Sequence, residues 1–184
     1  MTIRPYQNKD KENVRFVCLN SEGPCDMNEA GQRYIITTYC DYYIEREPQN
    51  CFVAADGNDY AVGYILCAES FEAFYPVFLR DYACSFPLSQ PWFFYGAAHS
   101  ADLQAKYQED YPAHLHIDLL PEYQRKGLGH KLVDTLAAHL KSKSVPGVML
   151  TVGASNRVGQ NFYTKYGFIL LESAEDDIAF GLKL

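Results

Sequence analysis

The sequence predicts an α+β fold: a mixed, strongly twisted β-sheet flanked by helices, in one domain spanning residues 1–184. Three patterns carry this. "CFVAAD" and "YAVGYILCAES" around the turn "DGND" signal an antiparallel hairpin. "HLHIDLL", "QRKGLGHKLVDTLAAHLKSK" and "GVMLTVG" read as strand, amphipathic helix and strand, a β-α-β unit that needs a right-handed crossover and parallel strands. "RVGQNFYTKY" stops at Gly167, a natural residue to end a helix, and "FILLES" and "DIAFGLKL" supply closing strands.

In chain order, "TIRPY" is a short first strand, and "NKDKENVRFVCLNSEG" is a helix capped by Asn8 or Asp10 with Val14, Val17 and Cys18 inward. A looser helical stretch, "GQRYIITTYCDYYIERE", ends before Pro48, and the hairpin follows. From Phe71 to Tyr111 periodicity fades while aromatics and prolines collect, among them Phe74, Phe78, Tyr82, Trp92 and Tyr95. Such an insertion is either extra core or the wall of a binding site. In the helix of the β-α-β unit, Leu128, Leu132, Leu136 and Leu140 form one stripe.

Composition narrows the function classes. At 48% hydrophobic and 21% charged, the chain suits a folded globular protein. A net charge of −7 without basic clusters argues against nucleic-acid binding and mildly favours cationic partners. No segment reaches the roughly 20 apolar residues of a membrane helix, and the start has no signal-like apolar run, so a cytoplasmic protein is expected. Six cysteines without C-x-x-C spacing read as reduced, mostly buried thiols. The 15% aromatic content can supply both a core and an aromatic-lined cleft.

The strand-to-helix junction "LLPEYQRKGLGHKLV" holds most of the chemistry. A helix N-terminus offers unpaired N–H groups and partial positive charge, Gly127 and Gly129 clear side chains from the turn, and Arg125 and Lys126 add charge. A pyrophosphate is the ligand that uses all of these. The spacing fits neither the dinucleotide fingerprint nor the P-loop.

This run resembles the acetyl-CoA motif of the GNAT superfamily of N-acetyltransferases, and "NFYTKYGF" resembles that family's second signature. A closer likeness is to the bacterial relatives of the acetyltransferase-like C-terminal domain of O-GlcNAcase, through "IRPY", "YAVGYIL", "HIDLL" and "NFYTKYGF". The eukaryotic domain is regarded as a pseudo-acetyltransferase lacking the glycine motif, whereas this chain keeps "QRKGLG". The resemblance implies the GNAT fold, acetyl-CoA as cosubstrate and an amine acceptor. It implies that the Leu119 and Leu120 backbone pairs with pantetheine and that Gln124, Arg125, Lys126, Gly127, Leu128, Gly129 and His130 enclose the pyrophosphate. Asn156 matches a position near the coenzyme arm, and Tyr163 matches the tyrosine that protonates the leaving thiolate.

Acetyl transfer needs a neutral amine, yet an amine of pKa ~10.4 is neutral in only about one molecule in two thousand at pH 7. A base is therefore required. Strand alternation puts His114, His116 and Asp118 on one face of "HLHID", with Asp118 the first candidate and His116, acting through water, the second. Asp118 as a structural carboxylate and Tyr163 as a ring packed in the core are the competing readings. The H-x-H-x-D spacing is not a metal site: alternate strand residues stand about 6.5–7 Å apart, so no metal is expected. No cysteine lies on either motif, which disfavours an acetyl-cysteine route and favours direct transfer in a ternary complex. The alternative is a non-catalytic acetyl-CoA-binding or regulatory module. Oligomeric state and the acceptor's class are not legible.

Overall fold

The structure, a computed structural model, describes residues 1–99 and 101–184. Strands β1 (Thr2–Pro5), β2 (Phe52–Ala55), β3 (Ala61–Ala68), β4 (Ala113–Leu119), β5 (Gly147–Gly153), β6 (Ile169–Ser173) and β7 (Asp177–Lys183) form one seven-stranded sheet in the order β1-β2-β3-β4-β5-β7-β6. All neighbours are antiparallel except β4 and β5. This is the mixed α+β sheet that the hairpin and β-α-β patterns predict.

Alternation along the strands sends successive residues into different apolar clusters. On β2 and β3, Phe52, Ala54, Ile65 and Cys67 join one apolar cluster, while Val53, Tyr64 and Leu66 join another. Helix α7 (Leu128–Ser142) lays its predicted leucine stripe on the first cluster, and α8 (Arg157–Tyr166) adds Tyr163. The second cluster takes α1 (Lys11–Asn20), α3 (Tyr42–Arg46) and α4 (Phe71–Asp81), with Val14, Val17, Tyr43, Phe74 and Phe78 buried.

Two local outcomes differ from the expectation. Asp10 does not cap α1 with its side chain, because its buried carboxylate is held by Arg4 Nη1 at 2.7 Å and Nη2 at 2.8 Å. The looser helical stretch is α2 (Glu29–Ile36), a π-turn at Thr37–Asp41, then α3. In the aromatic-rich stretch 71–111, of which residue 100 lies outside the described residues, the two ends of the helical run differ in burial. Its α4 rings are core, whereas α5 (Pro91–His99) leaves Trp92 59% and Tyr95 67% exposed. A short α6 (Asp102–Tyr107) leads into β4.

Candidate active site

Strands β4 and β5 share only two rungs, Ala113 with Val148 and His114 with Met149, and then diverge. The rest of β4 keeps β3 as a partner on one edge and leaves the other edge toward the gap. Register decides which groups face it. The Leu120 N–H donates to the Val62 carbonyl at 3.0 Å, so Leu120, Asp118 and His116 bond to β3, whereas Leu119 and Ile117 turn their backbone groups toward the gap. The Leu120 carbonyl accepts from the Tyr123 N–H at 2.9 Å, and that of Leu119 from Gln124 Nε2 at 2.9 Å. The open edge is therefore the Leu119 N–H with Ile117, and the Leu120 backbone is already engaged.

Gln124 acts as a tie. Its amide also donates to the Ser21 carbonyl at 2.8 Å, fastening the segment after α1 to the end of β4. Beyond it, Arg125 (φ 57°) and Gly127 (φ 77°) are both left-handed, which winds the chain into a concave turn before α7. No side chain caps α7, so the N–H groups of Leu128, Gly129 and His130 open onto that turn, with exposed Arg125 and Lys126 beside it. Lys126 Nζ lies over the Tyr123 ring at 5.5 Å. The two glycines do different things. A Cβ on Gly127 would meet nothing within 4 Å and would project into open space, while one on Gly129 would stand 3.1 Å from the Phe162 ring. Gly129 lets α8 seat Phe162 on the first turn of α7, where the His130 ring also lies 5.2 Å from it.

Next to Phe162, the Tyr163 ring packs against Phe168 and Phe180, and its hydroxyl has no protein partner among the described residues. Burial pushes this phenol above its ordinary value, and the nearby Asp118 charge adds to the effect. Tyr163 thus stays protonated at neutral pH and lies within the field of Asp118. Asn156 caps α8, accepting from the Gly159 N–H at 2.8 Å, and its amide reaches toward Glu22.

Asp118 accepts from the hydroxyl of fully buried Tyr64 at 2.5 Å. Burial raises its carboxyl to about 6, against hydrogen bonds from Tyr64 and Ser21 that pull it down and with the Glu22 charge pushing it up. Two residues away, the Tyr43 hydroxyl lies 3.0 Å from Nε2 of both His116 and His114. Burial lowers His116 to about 4 and His114 to about 3, with the neighbouring imidazole adding to the latter, so both are neutral at pH 7. Among the described residues no group of three His, Cys, Asp or Glu side chains is set to hold a metal ion. Sequence reasoning missed Tyr64 and Tyr43; the only available sign was that Tyr64 sits at an inward position of β3.

A family description, "Acetyltransferase (GNAT) family", matches residues 17–168. The chain belongs to the GNAT acetyltransferase family. A crystal structure described as SsHAT is similar at 25% identity and a TM-score of 0.87, covering 99% of this chain and 97% of that one. A PaiA N-acetyltransferase from Thermoplasma acidophilum, in complex with coenzyme A, matches at 19% identity and a TM-score of 0.62, covering 100% and 98%. An agmatine N-acetyltransferase in apo form matches at 14% identity and a TM-score of 0.67, covering 100% and 99%. The last two likenesses bear on the fold alone. GNAT proteins use acetyl-CoA, and the concave turn, its open N–H groups, its two exposed cations and the unpaired edge of β4 fit that donor's anionic and amide-bearing parts.

Proposed function

We propose that the protein is an acetyl-CoA-dependent N-acetyltransferase that passes an acetyl group directly to an amine within a ternary complex. The observation that carries this is the convergence of the open α7 turn, the free β4 edge, Asp118 and Tyr163 around the β4–β5 divergence. Arg125, Lys126 and the N–H groups of Leu128, Gly129 and His130 hold the pyrophosphate. Ile117 and Leu119 align the pantetheine arm through their backbone, and Asn156 lies along it. Bound acetyl-CoA supplies a thioester carbonyl to the amine.

Asp118 takes the proton from the incoming amine nitrogen. With a carboxyl near 6 it is ionised at pH 7 yet more basic than an ordinary aspartate, which matches a general base better than His116 held near 4. Tyr163 donates its hydroxyl proton to the sulfur as the C–S bond breaks; its hydroxyl, without a protein partner among the described residues, supports that role. We include in this reading a cytoplasmic setting, supported by six free cysteines, and kinship with the bacterial relatives of the O-GlcNAcase C-terminal domain, supported by the motifs quoted above.

The test is release of free thiol from acetyl-CoA on a panel of small amines, aminoglycosides, amino sugars, polyamines and lysine peptides. Turnover with intersecting initial-rate lines is expected. Binding without turnover on any acceptor would instead establish a non-catalytic acetyl-CoA module, and parallel lines would overturn direct transfer.

A further inference from the structure

Between the π-turn, α4, α6 and β4 lies a cavity whose room for the centre of a water molecule is about 10 Å³. That is close to one water, for which about 10–15 Å³ on this measure is needed. Phe74, Phe78, Tyr43 and both histidines of β4 are among the residues that line it. Among the described residues, the buried side-chain polar atoms without a hydrogen bond of good geometry are Thr38 Oγ1, Gln104 Oε1 and His114 Nδ1, and of these Thr38 alone has a further polar neighbour, the Tyr34 side chain. All three residues line this one cavity, and they are 3%, 6% and 1% exposed. Buried polar groups are almost always paired, and three atoms short of a good hydrogen bond around one water-sized space mark a ligand rather than three defects.

We infer that this cavity is a binding site for one internal water molecule, held by Thr38 Oγ1, Gln104 Oε1 and His114 Nδ1. Donor and acceptor counts agree with water. Gln104 Oε1 only accepts and takes one water hydrogen, and the Thr38 hydroxyl donates to a water lone pair. One water hydrogen and one lone pair then remain, so His114 Nδ1 is satisfied whether or not it carries a proton.

That freedom reaches His116. The Tyr43 hydroxyl sits between two Nε2 atoms and can donate to only one of them, so the other must donate to it. If Tyr43 donates to His114, then His114 carries its proton on Nδ1 and His116 carries its own on Nε2; if Tyr43 donates to His116, both assignments reverse. Burial keeps both imidazoles neutral, as this requires. With the water in place each arrangement leaves no side-chain atom unpaired, so the proton on the partly exposed His116 moves together with the orientation of a buried water.

A crystal structure of the whole chain, at a resolution that orders internal waters, tests this in sodium and in rubidium salt. The expected result is a single density peak about 2.6–3.2 Å from all three atoms, with no anomalous rubidium signal. A rubidium signal there would make it a cation site, and an empty cavity or direct bonds among the three side chains would remove the water; each overturns the inference. In solution, Thr38→Val keeps the shape but replaces the hydroxyl by a methyl, and should lower Tm by at least about 2 °C. A Tm that holds or rises would mark the cavity as dry and overturn the inference as well.

Discussion

Replacing Asp118 by asparagine separates its cost to folding from its value to catalysis. The unfolded chain releases this proton near pH 3.9, as an ordinary aspartate does. The folded protein holds it until about pH 6, because burial penalises the charge more than Tyr64 and Ser21 stabilise it. Between those values the folded state binds more protons than the unfolded one, so wild-type stability falls as pH rises, and the loss is complete above about pH 6. Holding a proton about two pH units more tightly sets a ceiling of about 3 kcal/mol on the loss, at about 1.4 kcal/mol per pH unit. Residual solvent contact at Asp118 makes the realised value smaller. The Asp118→Asn side chain keeps an acceptor for the Tyr64 hydroxyl and never ionises. The variant's Tm advantage should grow from near zero at pH 4 to several degrees at pH 7, at about 2–4 °C per kcal/mol for a chain of this size. At pH 7.5 the variant's kcat/KM should lie about 10²–10⁴ below that of wild type. Thermal unfolding followed by circular dichroism at a series of pH values, with thiol release at pH 7.5, reads both. A Tm difference that stays flat between pH 4 and 7, or an asparagine variant with wild-type turnover, would refute the reasoning.

Tyr64→Phe removes the donor that stabilises ionised Asp118, so the acid limb of the kcat/KM profile should move from about 6 to higher pH; an unmoved limb would show that Asp118 is not the titrating base. Tyr163→Phe keeps the ring among Phe162, Phe168 and Phe180 and loses only a hydroxyl with no protein partner among the described residues. Its stability should change by no more than about 0.5 kcal/mol while kcat falls by about 10²–10⁴, and unchanged kcat would leave Tyr163 a packing residue.

Short-range pattern made the frame legible. Period-2 and period-3.6 hydrophobicity located the hairpin, the β-α-β unit and the leucine stripe, since each depends on neighbours within a few residues. The junction was readable for the same reason: glycines, cations and a helix start are all local. What escaped was set across the sheet. That Tyr64 meets Asp118 and Tyr43 meets two histidines depends on the packing of segments 54 to 73 positions apart. The engaged backbone of Leu120 follows from a register that no single strand encodes. Gly129 read as clearance for a phosphate, yet its lack of a side chain makes room for Phe162. The α8 cap by Asn156 was open to sequence reasoning, because asparagine ahead of a helical pattern is a standard start signal.

The account turns on the concave turn at the start of α7, and calorimetric titration of acetyl-CoA into wild type and Gly127→Glu tests it most directly. At φ 77° a side chain costs about 1–2 kcal/mol but clashes with nothing, so the variant should stay folded while placing a carboxylate where the pyrophosphate would sit. Gly127→Asn, which tolerates left-handed backbone without adding charge, serves as the control. The account predicts one acetyl-CoA per wild-type chain, weakened binding to the asparagine variant and none to the folded glutamate variant. Equal binding by wild type and Gly127→Glu, or no binding by wild type, would contradict it.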